Sequence, residues 1–532
     1  TITYRVAYLL EQSVNQENIL LLTFTNKAAN EMIERVQKIT GTDARLPWAG
    51  TFHSIANKIL RKYSLAINYQ NNFSILDSDD SKTLIKSCLK EFKPSDVKKF
   101  PSTNIIQDVI SYSKNSGEDL ETTIELKCPY FSEFLPEFRK IYTKYEQLKK
   151  ETNSMDFDDL LTNLNLLLTK PEINKKFSEQ FQYILVDEYQ DTNKIQAEII
   201  KKLANNYQNI LVVGDDAQSI YSFRAAQIEN ILNFEKEYPN TKIFKLTTNY
   251  RSSQAILDVA NDVIAQNLNQ YKKELKAITN FGAKPSIHPQ ENQEEEARFI
   301  LQKIFELNDQ GLENKNIAIL FRAAFHSQRL EMELTKSGIE YDYRGGVRFF
   351  ERAHIKDVLS YLRILNNLSD RTAWSRVLAH EEGFGPSTID KTIENINNVK
   401  NVADIKETVN QILSPRAKVG WQNFTNIFEC LLEQPKVNPA NIINAIKKSN
   451  YAEYLQSEYL DSRDRLQDIE QLAIFAEKYN SLDEFLAEST LQENYSQEPK
   501  AINQKNNKLV LSTIHQAKGL EWDAVFVINL TT

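Results

Sequence analysis

The sequence predicts an α/β protein of the doubly wound kind, with parallel sheets and two all-helical insertions. Three observations predict it. Short apolar runs recur at the length of buried parallel strands; most are followed by a polar turn and then helical periodicity; and two long stretches show the helical period alone.

In chain order, the opening "TITYRVAYLLEQ" carries Arg5 and Glu11 inside its apolar pattern and reads as an amphipathic helix, not a signal peptide. The strand-like runs are "NILLLTF" (18–24), "YILVDE" (183–188), "NILVVGDD" (209–216), "KIFKLTT" (242–248), "NIAILFR" (316–322), "KLVLSTIH" (508–515) and "AVFVINL" (524–530). Helical periodicity follows in segments such as "NKAANEMIERVQKI" and "SSQAILDVANDVIAQN". Residues from about Asp77 to Thr152 and from about Phe349 to Asn506 read as helices joined by short loops. "ENQEEEARFI" near Glu294 reads as a solvated helix face, and "QENYSQEPKAINQKNNK" (492–508) as a polar linker.

Bulk composition narrows the class. The 532 residues are 41% hydrophobic and 26% charged, with no apolar run of bilayer-crossing length. Cys88, Cys128 and Cys430 show neither metal nor disulfide spacing, which suits a reducing cytosol. A net charge of −8 argues against a protein coated in basic surface, although a local groove can still bind nucleic acid.

Ligands of open parallel sheets bind at the carboxyl ends of strands. "VDE" places Asp187 and Glu188 at one such tip. An Asp there can hold Mg²⁺ and the next Glu can deprotonate an attacking water, while a capped or salt-bridged strand end accounts for the pair equally well. The neighbours favour chemistry. "VVGDDAQSIYSFRAA" supplies Gln218, suited to a phosphate oxygen or water, and Tyr221, Phe223 and Arg224 on one exposed helix or loop face. "TTNYRSS" supplies Tyr250, able to stack on a base, beside Arg251, a charge-stabilising candidate. "TFTNKAA" and "GTFHS" place Thr, Phe, Asn and His just after strands, within reach of a phosphate backbone and a base face.

In order and spacing, these segments resemble the UvrD/PcrA/Rep group of superfamily 1 DNA helicases. "LLTFTNKAANEM" is similar to motif Ia, "GTFHSIANKIL" to Ib and "LVDEYQDTN" to II. "GDDAQSIYSFRAA" is similar to motif III, "TTNYRS" to IV and "TIHQAKGLEWDAVFV" to V, and "DFDDLL" to the segment re-entering the first motor domain. The resemblance implies two RecA-like motors with the P-loop NTPase fold. The first spans 1–76 and 153–246 around insertion 77–152; the second spans 247–348 and 507–532 around insertion 349–506.

It also implies ATP and Mg²⁺ as cofactors, and single-stranded DNA and single/double-strand junctions as partners. Asp187 resembles the Mg²⁺ ligand, Glu188 the catalytic base, Gln218 the γ-phosphate sensor and Arg251 the arginine finger. Tyr250 resembles the adenine-stacking residue and Glu521 the ribose-side carboxylate. Phe24, Thr25, Phe157, Tyr221, Phe223, Arg224, Arg322 and His515 match the single-strand track, and His53 a position near its backbone. No G-x-x-x-x-G-K-[ST] phosphate loop occurs in the sequence, and the resemblance implies one just upstream of Thr1 and motif VI beyond Thr532.

Three departures from the family pattern stand out: Ala225 replaces a glycine after Arg224, Ala324 replaces an asparagine after Arg322, and "EEGFGPST" replaces a basic duplex-contacting segment, with Glu381 and Glu382 expected to repel phosphates. The resemblance implies an ATP-driven 3′-to-5′ translocase and helicase of cytoplasmic DNA repair or replication restart. The motor subunit of a RecB- or AddA-type helicase–nuclease, and a non-catalytic DNA-binding relative, are the competing readings.

Overall fold

The computed structural model describes residues 1–41, 45–76, 78–92, 100–278, 282–344, 349–368, 370–397, 402–435, 438–486, 489 and 507–531. The chain forms two compact units, Thr1–Ser286 and Ile287–Thr532. Most of the polar run 492–508 lies outside the described residues.

In the first unit β1 (Ile19–Thr23), β2 (Ala49–Thr51), β5 (Tyr183–Val186) and β6 (Ile210–Val212) form an all-parallel sheet in the order β2-β1-β5-β6. Alternation along β1 covers both faces. Leu20 and Leu22 join a core with α3 (Phe52–Tyr63), α8 (Phe157–Leu167) and α10 (Lys194–Leu203); Ile19 and Leu21 meet α1 (Ile2–Glu11) and α2 (Asn26–Thr40).

The first insertion is helical as expected: α4 (Ser78–Phe92), α5 (Thr103–Ser116), α6 (Leu120–Lys127) and α7 (Leu135–Glu151) enclose their own apolar core. Its entry and exit are stitched together by β3 (Ser74–Ile75) and β4 (Ser154–Met155), which pair in parallel. A buried ionic cluster then ties the insertion to α8. Lys149 Nζ meets Glu146, Asp156 and Asp159 at 2.8, 2.7 and 2.6 Å, and Lys114 Nζ meets the same acids at 2.7, 3.4 and 2.7 Å. These three carboxylates stand close enough to suggest a metal site, but two ammonium groups already occupy the space between them. Asp156 and Asp159 also form the reciprocal cap that starts α8.

One expected strand is corrected. In "KIFKLTT" only Thr248 is in a strand, β7 (Thr248–Asn249), which pairs with β8 (Lys276–Ala277). Ile243, Phe244 and Leu246 are exposed, and 242–247 joins no ladder among the described residues. An apolar run suits a strand but does not supply the neighbour whose backbone must pair with it.

The second unit has another all-parallel sheet, β10-β11-β9-β12, built from β9 (Ile317–Phe321), β10 (Tyr341–Arg344), β11 (Leu509–Thr513) and β12 (Ala524–Val527). Between β10 and β11 the chain leaves for the second insertion, whose described long helices run from Ala353–Asn366 to Ser462–Ala476, with a further helical stretch at 482–486, around Trp374, Trp421 and Phe424. Arg352 and His354 both bond Asp468 at 2.7 Å, joining the insertion's first and last long helices at its root. The fold class is the expected one. No helix among the described residues is long and apolar enough to cross a membrane.

Candidate active site and nucleic-acid interface

Phe24, Thr25, His53, Asp187, Glu188 and Gln218 lie at the carboxyl edge of the first unit's four-stranded sheet. Phe24 and Thr25 follow β1, His53 follows β2, Asp187 and Glu188 follow β5, and the turn carrying Gln218 follows β6. Asp187 N–H donates to Leu22 O at 3.0 Å, fixing the tip of β5 against β1. Burial and then the neighbouring Glu188 charge raise the Asp187 carboxyl above the ordinary aspartate range, a strain that a cation would relieve.

Glu188 itself sits at φ +51°, in the left-handed region that non-glycine residues rarely enter. Its carboxylate accepts from Gln190 Nε2 at 2.6 Å. Gln190 is fully buried, and its Oε1 accepts from Asp215 N–H at 2.9 Å. The Asp215 carboxylate in turn accepts from Gln218 Nε2 at 2.8 Å. A continuous string, Glu188–Gln190–Asp215–Gln218, thus joins the two strand-end turns. The closeness of the turns explains Gly214: a Cβ there would lie 2.5 Å from Gln190 Oε1. Sequence reasoning missed Gln190; its only signal was a polar side chain between Glu188 and Asp191 in "DEYQDT".

Tyr221, Phe223 and Arg224 fall at one 3₁₀ turn, Ser222–Arg224, as a loop face, while Gln218 ends a separate 3₁₀ turn, Asp216–Gln218. Tyr221 and Phe223 stand 6.0 Å apart, and the Arg224 guanidinium lies 5.7 and 5.6 Å from their respective rings. Phe223 is 50% exposed. Ala225, which closes this turn, is buried at φ +65°, so the alanine holds the backbone a glycine would adopt without cost.

Phe157, at the start of α8, is exposed and packs edge-on against His53 at 5.9 Å. Burial lowers the His53 pKa, so the neutral ring can donate or accept but brings no charge to a phosphate. Thr25 caps α2 by accepting from Ala28 N–H at 3.1 Å, a local structural role beside the one expected of it. Tyr250 is 81% exposed. Arg251 is positioned by Asn249, whose Oδ1 accepts from the N–H groups of Arg251 and Ser252 at 2.9 and 2.8 Å.

In the second unit Arg322 directly follows β9, His515 follows β11, and Glu521 lies in the loop before β12. Ala324 contributes its carbonyl oxygen, which accepts from Arg352 Nη2 at 3.0 Å. The pair Glu381–Glu382 differs from expectation. Glu381 turns against Gly420, and burial pushes its carboxyl up to about 7; only Glu382 is exposed, with Arg416 at 3.3 Å. The expected repulsion of phosphate is therefore reduced: Glu381 is partly protonated near neutral pH and Glu382 is paired with Arg416.

The UvrD/REP helicase N-terminal domain family matches residues 1–239, and the UvrD-like helicase C-terminal domain family matches 244–532. The second match begins inside the first compact unit. The chain is 36% identical to the protein named ATP-dependent DNA helicase PcrA of Staphylococcus aureus (strain Mu50) over 546 residues, covering 99% of this chain and 73% of that protein. The PcrA of Bacillus subtilis (strain 168) is 36% identical over the same coverage, and that of Staphylococcus epidermidis is 35% identical over 545 residues, again 99% of this chain and 73% of the relative. With both family matches spanning nearly its whole length, this chain belongs to the UvrD/REP helicase family.

Proposed function

We propose that the protein is an ATP-dependent helicase that moves 3′ to 5′ on single-stranded DNA and opens single/double-strand junctions, in cytoplasmic DNA repair or replication restart. The observation that carries this reading is the hydrogen-bonded string from Glu188 to Gln218 at the carboxyl edge of a parallel sheet. The curated relatives are themselves named ATP-dependent DNA helicases.

Asp187, with its raised carboxyl pKa, fits a ligand of Mg²⁺, which would supply charge neutralisation to the nucleotide phosphates. Glu188 takes the proton of the attacking water, and the Gln190 bond restricts rotation of its carboxylate. Gln218, oriented by Asp215, hydrogen-bonds the water or a γ-phosphate oxygen. Arg251 stabilises charge on the transferred phosphoryl group. Tyr250 stacks on a nucleotide base. In the first unit Phe24, Thr25, His53, Phe157, Tyr221, Phe223 and Arg224 contact the DNA strand, aromatic faces taking bases and polar groups taking phosphates. In the second unit Arg322 and His515 are assigned to DNA and Glu521 to a ribose hydroxyl.

Strand displacement by the full-length protein tests the reading. Duplexes with a 3′ single-stranded tail should be unwound in the presence of ATP, and those with only a 5′ tail should not. Equal unwinding from both tails would remove the assigned polarity, and none from either would remove the helicase.

A further inference from the structure

The string from Glu188 to Gln218 does not end at Gln218. Asp215, which orients the Gln218 amide, also receives the ammonium of Lys273, and the same ammonium reaches Asp216 at 3.2 Å. Asp216 is buried and accepts a second bond, from Tyr271 N–H at 3.0 Å. Lys273 therefore lies across two adjacent carboxylates that would otherwise repel each other and any phosphate brought to Gln218. Burial pulls the Lys273 pKa down, but the hydrogen bonds and charges of Asp215 and Asp216 outweigh it, so the group stays protonated.

The other end of the same short segment holds the Arg251 corner. Three residues past Lys273 begins β8, whose Lys276 and Ala277 pair with Thr248 and Asn249 of β7. Lys276 N–H donates to Thr247 O at 2.8 Å and Ile278 N–H to Asn249 O at 3.1 Å. Asn249 is the residue whose side chain fixes the Arg251 and Ser252 amides. A single extended strap, Tyr271 to Ile278, thus touches the Gln218 turn at one end and the Tyr250–Arg251 corner at the other. Tyr271 anchors it further through its hydroxyl, which donates to Ile231 O at 3.2 Å.

We propose that Lys273 is a positioning residue for nucleotide hydrolysis: it clamps the strap to Asp215 and Asp216 and so keeps Gln218 and Arg251 in fixed register. The proposal rests on the reading of Gln218 and Arg251 as nucleotide-facing groups. Lys273 acts through Asp215 on the orientation of an amide and through β8 on the placement of a guanidinium. Misplacement of catalytic groups by about 1 Å costs on the order of 10²-fold in rate.

The test is DNA-stimulated ATP hydrolysis by the full-length protein. Lys273→Met should lower kcat by about 10- to 100-fold, with KM for ATP changed far less and single-strand affinity without nucleotide preserved. Lys273→Arg, which keeps the ion pair, should recover at least half of the loss. Should Lys273→Met fail to fold, Lys273→Gln serves in its place. The decisive measurement is the double variant. If Lys273 works through Gln218 and Arg251, adding Lys273→Met to Gln218→Ala or to Arg251→Ala should cost clearly less than Lys273→Met costs the otherwise intact protein. Losses that multiply, or normal turnover in a folded Lys273→Met or Lys273→Gln protein, would overturn the proposal while leaving the nucleotide site intact. Normal turnover in Gln218→Ala alone would overturn the site reading and this proposal together.

Discussion

Replacing Phe223 by alanine separates a motor from a protein that merely binds DNA. The ring is 50% exposed, so it is not a core residue whose truncation costs the full amount. Complete burial would set Phe→Ala at about 3–5 kcal/mol, and half exposure brings this to roughly 2 kcal/mol. In a protein of this size that lowers the unfolding midpoint by only a few degrees. Against this stands the loss of one base–aromatic stack, about 1–3 kcal/mol, which weakens single-strand affinity by roughly 5- to 150-fold. Fluorescence anisotropy with a labelled oligothymidylate reads that change directly. Tyr221 and Arg224 remain, so binding should weaken but persist. At saturating DNA the ATPase of the full-length protein carrying Phe223→Ala should be nearly intact, because Glu188, Gln190, Asp215 and Gln218 keep their bonds. Unwinding should nevertheless collapse, since each hydrolysis would act on a strand that is not gripped. A midpoint lowered by more than about 10 °C, with ATPase falling in parallel, would show that Phe223 is structural and refute the coupling role.

The remaining expectations are briefer. The 532-residue chain, whose sequence contains no phosphate loop, should hydrolyse no ATP above background in a phosphate-release assay. In the full-length protein Glu188→Gln should retain DNA binding and lose about 10²–10⁴ in turnover, and Arg251→Ala about 10³–10⁵; stopped-assay kcat values check both. Lys149→Met leaves buried acids without one of their two cations and should cost about 3–5 kcal/mol in a denaturant melt, whereas a change below 1 kcal/mol would place the cluster in contact with water. Glu381 binds its proton more tightly in the folded chain, at about 7 against 4.5 unfolded, so its burial penalty is absent below pH 4.5 and complete above pH 7. Stability should therefore fall through that window, and Glu381→Gln should flatten the profile and gain about 3 kcal/mol at pH 8.

The sequence reveals elements whose signal is carried by the element itself. β1, β5, β9 and β11 are continuous apolar runs buried on both faces, and each is legible. β2 is only Ala-Gly-Thr and β10 is Tyr-Asp-Tyr-Arg; both are strands because a neighbouring strand pairs with them, which no local pattern records. The run 242–247 fails for the complementary reason, apolar residues without a partner. At the site, Asp187, Glu188, Gln218 and Arg251 were legible from spacing and resemblance. Gln190 was not, because its role lies in bonds to Glu188 and to the distant Asp215 N–H. Lys273 is hidden in the same way, fifty-eight positions from Asp215. The inward turn of Glu381 depends on Gly420, another long-range neighbour that hydropathy alone does not report.

The ionic cluster at the root of the first insertion has a practical consequence for handling the protein. Surface contacts between cationic side chains and nucleic-acid phosphates weaken steeply as salt is added, because dissolved ions compete for both partners. Lys114, Lys149, Asp156 and Asp159 are closed to solvent, so those ions cannot reach or screen them. Salt should therefore strip bound nucleic acid from the protein at concentrations that leave the junction between insertion and sheet locked. A high-salt wash should leave intact the ionic cluster that fixes the start of α8, where Phe157 sits.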